Sequence, residues 1–398
     1  MTNFSKVKLG DVLTFQRGFD ITKEEQSDGG VPIVSSSGVS SYHSKWKVEG
    51  PGVVIGRKGT LGTVHFIQGN FWPHDTTLWV KDFKGNSPRF LSYFLRTLRL
   101  ENFDVGASNP TLNRNHIHKI RIVFPNSVET QRRIAAILSS YDDLIENNKR
   151  RISLLEKLAK EIYREWIVRF RFPGHEKLKI VRGVPSGWEV RTLGSLANEI
   201  KKGIRKKDLA DVEKYIGLEH ISRRSIALNE WAAAATVDSN KLLFQARDIL
   251  FGKIRPYLHK VALAHFPGAC SSDTIVIRPK EKIYEGYLLF TIFSDTFIEL
   301  ATVASKGTKM PRADWGFLKK LELAVPNEKL LKTYQAQFDP LFSQIVNLLR
   351  ANESLGISRE RLLPRLISGK LSVGNLDIQF PPSLRDELKA TAPAADYA

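Results

Sequence analysis

The stretch GASNPTLNRNHIHKIRIVFP (Gly106–Pro125) has a counterpart later in the chain, GTKMPRADWGFLKKLELAVP (Gly307–Pro326). The first glycine, the proline at the fifth place and the closing proline of the two stretches all lie 201 positions apart. Before the closing proline, apolar residues alternate with polar ones, which predicts a turn that leads into a strand. A segment that recurs at a fixed distance indicates an internal repeat, and this repeat decides the fold class.

The repeat extends outward from these two stretches. VKLGDVLTF opens the first copy, and VRTLGSLANEI opens the second copy after Trp188. GVVIGRKGTLGTVHF then corresponds to DILFGKIRPYLHKVALAHF, and HDTTLWV to SDTIVIR, which aligns Asp75–Thr76 with Asp273–Thr274. Strands, Gly-basic turns and short helical patterns alternate in each copy. We therefore expect two mixed α/β domains of roughly 130 residues each, a common domain size.

After each copy the spacing of apolar residues changes to three and four, which is typical of a heptad seam. From Glu129 onward the seam positions are Ile134, Leu138, Tyr141, Ile145, Ile152 and Leu155, with Asn148 as a polar member. The second copy supplies Phe338, Phe342, Ile345 and Leu349. A helix from Glu129 to Arg169 would be roughly 60 Å long, and a single domain of this size does not need such a helix. We therefore favour pairing with a second long helix over an ordinary core helix.

Together these patterns predict an α+β protein with a pseudo-twofold internal repeat. Two similar mixed α/β domains are separated by two long helices that form an antiparallel coiled coil, in which Asn148 fixes the register. The expected boundaries are 1–128 and 188–326 for the domains, 129–187 for the central helix and connector, 327–373 for the second helix and 374–398 for a tail. Gly356 and Pro364 predict that the second helix is interrupted, and the segment after Leu371 is expected to be weakly ordered.

The composition bounds the possible partners. The 398 residues include 60 Lys and Arg against 42 Asp and Glu, a net charge of +18. That excess predicts a polyanionic partner, with DNA or RNA ahead of an anionic membrane; a generic basic surface is the simpler alternative. A single cysteine, Cys270, excludes an internal disulfide. With neither a signal-peptide pattern nor an apolar run of about 18 residues, we expect a soluble cytoplasmic protein.

The sequence shows no constellation typical of catalysis. The turn GRKGTLG lacks the final pair of a phosphate-binding loop. SNPT is one residue away from the Asn-Pro-Pro core of amino-methyltransferases, but the second copy does not preserve it. His116 and His118 would share one face of a strand and suggest a metal pair, yet Phe317 and Lys319 replace them in the second copy. We therefore predict no catalytic residue and no metal site, and interpret the chain as a binding protein.

The candidate DNA-binding residues are exposed basic turns and amide-rich loops, because cations contact phosphates whereas forked and amide side chains contact base edges. The predicted set is Arg57 and Lys58, Lys201, Lys202, Arg205 and Lys206, and Lys253 and Arg255, together with Asn109, Asn113, Arg114, Asn115, Lys309 and Arg312 in the repeated stretches. A single surface Lys or Arg is usually only solvated, so the prediction concerns the loops more than any one member.

With these motifs in place, the chain resembles the DNA sequence-specificity subunit of Type I restriction-modification systems. The resemblance is carried by LGDVLTFQRGF, VVIGRKGTLG, PTLNRNHIHKIRIVFP and ETQRRIAAILSSYDDLIENNKRRISLLEKL, and in the second half by YIGLEHIS and RERLLPRLISGKL. It covers essentially the whole chain to about residue 373. Gly356 and the tail depart from the family pattern.

The resemblance implies two target-recognition domains, each of which reads one half of a bipartite site on double-stranded DNA. The long helices would serve as a spacer and as the docking surface for two methyltransferase subunits, which use S-adenosylmethionine to methylate adenine at N6. Separate motor-nuclease subunits would use ATP and Mg²⁺ to cleave unmodified DNA. The chain itself would then hold no cofactor and contact no membrane. The alternatives are a free-standing DNA methyltransferase or nuclease with its own recognition domains and, more weakly, a coiled-coil structural protein.

Overall fold

The computed structural model describes residues 4–103, 111–177, 179–181, 183–305, 307 and 310–384. The chain divides into two compact units. Unit 1 consists of Met1–Glu146 and Glu353–Ala398, and unit 2 consists of Asn147–Asn352. Each unit contains one copy of the repeat, called here the first head (residues 4–125) and the second head (residues 189–325), together with parts of two long helices.

The first head combines two small sheets, a strand pair and short helices. Its strands are β1 (Phe4–Lys8), β2 (Thr14–Arg17), β3 (Val31–Ser35), β4 (Gly38–His43), β5 (Gly52–Gly56), β6 (Val64–Ile67), β7 (Trp72–Pro73), β8 (Thr77–Asp82) and β9 (Arg121–Pro125). Its helices are α1 (Leu9–Val12), α2 (Pro88–Thr97) and α3 (Arg114–Ile117). An antiparallel sheet has the order β2-β8-β5-β6, a second sheet the order β4-β3-β7, and β1 pairs with β9. Helix α2 begins at Pro88, where the Ser87 side chain accepts a hydrogen bond from the Phe90 N–H and so caps the helix.

A long helix, α4 (Val128–Tyr163), follows the first head, and a connector then leads to the second head. The strands of these parts are β10 (Ile180–Val181), β11 (Val184–Pro185), β12 (Glu189–Thr192), β13 (Ala197–Glu199), β14 (Gly203–Ile204), β15 (Lys214–Ile216), β16 (Ala232–Ala233), β17 (Lys241–Phe244), β18 (Ile249–Gly252), β19 (Val261–Leu263), β20 (Gly268–Cys270), β21 (Thr274–Pro279) and β22 (Glu322–Val325). The helices are α5 (Leu193–Leu196), α6 (Glu285–Ile292), α7 (Asp295–Val303), α8 (Trp315–Leu318) and, after the second head, α9 (Glu328–Ile367). The sheets have the orders β13-β21-β18-β19 and β14-β17-β20-β15-β16.

The internal repeat recurs in the structure. The order β2-β8-β5-β6 of the first head matches β13-β21-β18-β19 of the second, and the pair β1-β9 matches β12-β22. Gly10 and Gly194 occupy equivalent tight positions, because a Cβ at either would approach the Cβ of His118 or Lys319 to 3.0 Å. The predicted α+β class with two similar α/β domains is therefore confirmed.

The structure corrects the alignment of one turn. In the sheet register Gly56 lies opposite Thr77, and Gly252 lies opposite Thr274. Thr77 is therefore the equivalent of Thr274, so that Asp273 corresponds to Thr76. The alignment of Asp75 with Asp273 was wrong by one residue, because matching the letters Asp-Thr cannot show how each chain enters its strand.

The two long helices run antiparallel. Helix α4 has 36 residues, about 54 Å at 1.5 Å per residue, and a π-helical turn, Arg164–Val168, continues it. Within unit 2, Asn148 of α4 donates a 2.9 Å hydrogen bond to Asn352 of α9, whereas the ring of Tyr163 lies 6.4 Å from that of Tyr334. A later residue of one helix thus meets an earlier residue of the other, which confirms the predicted antiparallel pairing.

The predicted seam residues are all buried or half-buried. Those that are buried are Ile134, Leu138, Asn148, Ile152, Phe338, Phe342, Ile345 and Leu349, and those that are half-buried are Tyr141, Ile145 and Leu155. Two glutamines on these helices fasten the heads to them. The N–H of Ser87 donates to Gln131 Oε1 at 3.0 Å, and the N–H of Gly286 donates to Gln335 Oε1 at 2.9 Å.

The predicted interruption of the second helix was wrong. Helix α9 continues for 40 residues through Gly356 and Pro364. A proline inside a helix costs about 3 kcal/mol, and glycine costs about 1 kcal/mol relative to alanine. Around Pro364, however, the side chains of Leu363, Leu366 and Ile367 are buried, and each contributes about 1.5–3 kcal/mol. Tertiary packing therefore maintains the helix against its local propensity.

The expectation of a weakly ordered segment after Leu371 was also wrong for the residues that the structure describes. Val373 and Leu384 are buried in the core of unit 1. The Arg133 side chain on α4 donates from Nε to the Val373 carbonyl at 3.0 Å and also contacts the Leu376 carbonyl. These bonds satisfy carbonyl groups that have no partner in regular secondary structure, and together with the buried apolar side chains they hold the segment in place.

Among the described residues, no single helix has both the length and the apolar character needed to cross a membrane. One bent pair, Lys282–Ile292 with Asp295–Val303, meets these criteria only when its two members are joined across a 69° bend, and then by length and composition alone.

Candidate nucleic-acid interface

In the first head, backbone hydrogen bonds join the basic turn after β5 to Thr111 and Leu112 of the repeated stretch. Lys58 forms an isolated antiparallel bridge with Thr111, and the Leu112 N–H donates to the Arg57 carbonyl at 3.0 Å. The N–H groups of Arg57 and Lys58 both donate to the carbonyl of Thr76, at 2.9 and 3.0 Å. The turn, the repeated stretch and the Asp-Thr turn before β8 therefore form one site, although they are distant in the sequence.

The side chains at this site include an acid as well as bases. Arg17, at the end of β2, places Nη2 3.0 Å from Oδ2 of Asp75, and Arg57 donates from Nη1 to the backbone carbonyl of Asp75 at 3.3 Å. Burial lowers the pKa of the Arg57 guanidinium, the positive charge of Arg17 lowers it further, and Asp75 opposes both effects. Lys58 is exposed, so it is available to a phosphate.

The residues after Leu112 have distinct roles. Asn113 caps the short helix α3, because its Oδ1 accepts the Asn115 N–H at 2.9 Å. The side-chain oxygen of Asn113 therefore caps the helix, although the sequence predicted that this residue contacts a base. The side chains of Arg114 and Asn115 are exposed. Asn109 lies outside the described residues, as does Lys309 in the second head.

The two histidines do not lie on a strand, as the sequence pattern had suggested. His116 belongs to α3, and His118 directly follows the end of this helix. The His118 N–H donates to the Arg114 carbonyl, so the helical turn is completed before β9 begins. His118 Nε2 accepts the Phe15 N–H at 3.0 Å, and the two rings stack with their centroids 5.9 Å apart. Burial, followed by the charges of Arg114 and Lys84, lowers the pKa of His118, which keeps this ring nitrogen an acceptor.

The second head brings the corresponding elements together in the same way. Ile254 forms an isolated bridge with Arg312, the Ala313 N–H donates to the Lys253 carbonyl at 2.9 Å, and the Arg255 N–H donates to the Pro311 carbonyl at 2.8 Å. An aspartate again lies among the bases. Asp273 Oδ1 is 4.0 Å from Lys253 Nζ and 3.5 Å from Arg312 Nε. The predicted residues Lys253, Arg255 and Arg312 thus form one site.

The backbone of the basic turn is left-handed in both heads, with φ of 76° at Gly59 and 48° at the equivalent residue, Arg255. A non-glycine residue pays roughly 1–2 kcal/mol for this conformation. The second head therefore retains an exposed arginine at a position where glycine would be more stable. Such strain is often found where a side chain serves a function.

Three cations of the lysine-rich segment near β14 form ion pairs with nearby carboxylates, which the composition of the segment did not suggest. Lys201 Nζ lies 2.9 Å from Glu199, Arg205 Nε lies 3.0 Å from Asp208, and Lys206 Nζ lies 2.7 Å from Asp238. The hydrogen bond and charge of Glu199 raise the pKa of Lys201, and Asp314 adds to the effect. All these cations are exposed, as is Lys202, so they supply a weak, salt-sensitive attraction for phosphates.

One group of side chains has the composition of a metal site. Asp20, His74 and Asp75 each place a potential ligand atom within 4.8 Å of the others. Both carboxylate oxygens of Asp75 are already engaged, however: Oδ2 with Arg17 at 3.0 Å and Oδ1 with His74 Nδ1 at 3.1 Å. A guanidinium at that distance repels a cation, and so this arrangement suits an arginine better than a metal ion.

Arg17, Asp75 and Asp273 were not among the predicted site residues. Arg17 is a lone arginine that becomes part of the site only because β2 pairs with β8. The two aspartates lie in a turn that the sequence had matched between the copies, but an acid carries no obvious signal for binding a polyanion. The assembled sites present forked cations and amides on rigid turns, an arrangement that suits contact with nucleic acid.

Comparison with known proteins identifies the family. The model of the Type I restriction modification DNA specificity domain matches residues 1–157 and again 185–345. The chain is similar to the Type I restriction enzyme MjaIX specificity subunit of Methanocaldococcus jannaschii, with 26% identity over 72% of this chain and 70% of that protein. It is also similar to the EcoDI specificity subunit of Escherichia coli, with 21% identity over 93% of this chain and 89% of that protein.

The crystal structure of the S subunit of a Type I restriction-modification system from M. genitalium has the same fold. Its TM-score is 0.58 at 17% identity, over 92% of this chain and 96% of that one. The sequence-based prediction of a specificity subunit, rather than an enzyme with its own active site, agrees with the family match and the named relatives. The chain belongs to the family of Type I restriction-modification DNA specificity subunits, and its two heads are the two specificity domains of that family.

Proposed function

We propose that this chain selects a bipartite site on double-stranded DNA, with one half-site read by each head. The observation that carries the proposal is the recurrence of one scaffold with different side chains. In both heads a basic turn is bridged to the repeated stretch, through Lys58 and Thr111 in one and Ile254 and Arg312 in the other. Equivalent backbone turns with different exposed groups are suited to two different short sequences.

The proposed assembly contains two methyltransferase subunits and, for restriction, motor-nuclease subunits. Adenine N6 methylation and ATP-dependent cleavage would belong to those subunits, together with S-adenosylmethionine, ATP and Mg²⁺, and this chain would hold no cofactor. The relatives support a place in such an assembly, because their names describe them as specificity subunits of Type I restriction enzymes.

Helix α4 offers a surface for docking the methyltransferase subunits. Leu154 and Leu158 are four residues apart and therefore lie on one face of the helix, yet 65% and 49% of their surfaces are exposed. Apolar side chains grouped on a helix face favour a protein partner. Replacing both with aspartate should reduce co-purification of the methyltransferase subunit. Ser153→Asp, an exposed neighbour on the same helix, is the matched control and should leave co-purification unchanged.

The half-site proposal is tested by exchanging residues 1–128 for the corresponding domain of another specificity subunit. Methylated adenines are then mapped in cells with the original chain, with the hybrid and with neither. We expect one half of the methylated site to change and the other half to persist. If both halves change, or if neither does, the two heads do not read independent half-sites.

A free-standing enzyme would behave differently. Purified chain is titrated with S-adenosylmethionine and with Mg²⁺, and binding is followed calorimetrically. We expect neither to bind at micromolar concentrations. Tight binding of either would show that this chain carries its own catalytic site.

A further inference from the structure

An acidic side chain lies at the centre of the basic site in each head. Asp75 contacts Arg17 at 3.0 Å, and Asp273 contacts Arg312 at 3.5 Å and Lys253 at 4.0 Å. A carboxylate among phosphate-binding cations weakens the attraction for DNA, so its presence in both heads calls for a compensating role. The two aspartates occupy adjacent, non-equivalent positions of the repeat, because Asp273 corresponds to Thr76 in the sheet register. A shared scaffold residue therefore does not account for them.

We propose that Asp75 and Asp273 are positioning residues that hold Arg17 and Arg312 for contact with a guanine, one in each half-site. This inference rests on the proposed function and adds the base that each head recognises. An arginine that forks onto guanine O6 and N7 is the commonest specific contact in the major groove. A carboxylate that fixes the guanidinium beforehand reduces the ordering cost on binding.

The exposure of the side chains fits this role. Arg17 and Arg312 are 54% and 49% exposed, whereas Asp75 and Asp273 are 17% and 32% exposed. Arg17 gives only Nη2 to its aspartate and Arg312 only Nε, out of five N–H donors on each guanidinium. The acid is thus set back in the turn, and the arginine extends past it with donors left for a base.

The second head uses a different geometry for the same purpose. Arg312 approaches its aspartate through Nε, which leaves the two terminal nitrogens as a fork. Arg312 lies in the repeated stretch, whereas Arg17 lies at the end of β2. The two arginines come from different elements, although each lies beside an aspartate of the equivalent turn. The recognised guanine would therefore lie at a different point in each half-site.

The test uses the full complex of this chain with its methyltransferase subunits. Methylation rates are measured on duplexes in which each base pair of the two half-sites is replaced in turn. For Arg17→Ala we expect the preference for G·C to fall by about 5- to 150-fold at one position of the first half-site only. Arg17→Lys keeps the charge but loses the fork, so it should show a similar loss. Asp75→Asn should relax the preference at that same base pair by a smaller factor.

A double variant separates positioning from a general structural effect. When Arg17 is already alanine, Asp75→Asn should cause no further change in base preference. Asp273→Asn and Arg312→Ala are the matched pair for the second half-site and should leave the first unaffected. Should Asp75→Asn fail to fold, as seen in its thermal unfolding, Arg17→Lys and the second-head pair still test the proposal.

The outcomes distinguish this inference from the proposed function. If the wild-type complex methylates a defined site but Arg17→Lys retains full discrimination, Arg17 contacts phosphate and the inference is wrong. A half-site that contains no G·C pair would refute it for that head. If the wild-type complex shows no sequence preference on any duplex, the proposed function itself fails.

Discussion

The hydrogen bond between Asn148 and Asn352 allows a quantitative test of the helix pair. Asn148 is only 8% exposed, and its Nδ2 lies 2.9 Å from Asn352 Oδ1. Asn148→Ala removes the Nδ2 donor and leaves the partly buried Oδ1 of Asn352 without a hydrogen bond from Asn148. Because a lost hydrogen bond and an unpaired buried group cost about 1–3 kcal/mol, we expect the free energy of unfolding to fall by about 1–2 kcal/mol. Urea unfolding of the full chain, followed by circular dichroism, measures this loss.

The double-mutant cycle with Asn352→Ala gives the sharper result. We expect a coupling energy of about 0.5–1.5 kcal/mol between the two positions. Replacing both asparagines with leucine should leave the chain as stable or up to about 3 kcal/mol more stable, since apolar burial replaces a polar pair. That variant should align its two long helices less specifically, because a polar seam residue fixes their register. The reasoning would be refuted if the two alanine substitutions were additive, or if the double leucine variant were markedly less stable.

Three further predictions concern single residues. Gly356→Ala should raise the free energy of unfolding by about 0.5–1 kcal/mol, because an added Cβ meets nothing within 4 Å; a lower melting temperature would contradict this. Arg255→Gly relieves the left-handed strain at φ 48° and should stabilise the chain by up to about 1 kcal/mol, while the slope of log K against log salt for DNA binding falls by about 1; an unchanged slope would exclude a phosphate contact. The depressed pKa of His118 contributes stability that is present above the ordinary value of 6.5 and is lost as the pH falls from there through the folded-state pKa. His118→Gln keeps an acceptor for the Phe15 N–H and should flatten the pH dependence of urea unfolding between pH 7.5 and 5.5, whereas an equally steep profile would assign the effect to other groups.

The large-scale architecture could be predicted because it depends on repeated, local signals. The spacing of 201 residues between Gly106 and Gly307 and the three-four spacing from Ile134 are visible in the sequence alone. Buried apolar positions follow these periods, so the two α/β domains and the antiparallel helices were both expected. The polar member of the seam, Asn148, was also recognised from its break in the pattern.

The details of the candidate site could not be predicted, because they depend on strand register and on contacts between distant residues. Arg17 and Asp75 are 58 positions apart and meet only through the pairing of β2 with β8. The one-residue shift that makes Asp273 equivalent to Thr76 is invisible to letter matching. Asn113 looked like a base reader, but its side-chain oxygen caps a helix. Pro364 looked like a break, but neighbouring leucines hold the helix together.

The discontinuous make-up of unit 1 has a consequence for the order in which the protein is made. Unit 2 ends at Asn352, and only then does synthesis reach the second segment of unit 1. That segment supplies Leu363, Leu366 and Ile367, which complete the core of unit 1 around Ile134 of α4. At about 5–20 residues per second, the first head waits on the order of 10–40 s with part of its apolar surface uncovered. The half that is synthesised first is thus the last to be finished, and it is the half that a chain cut short within α9 after Asn352 leaves incomplete.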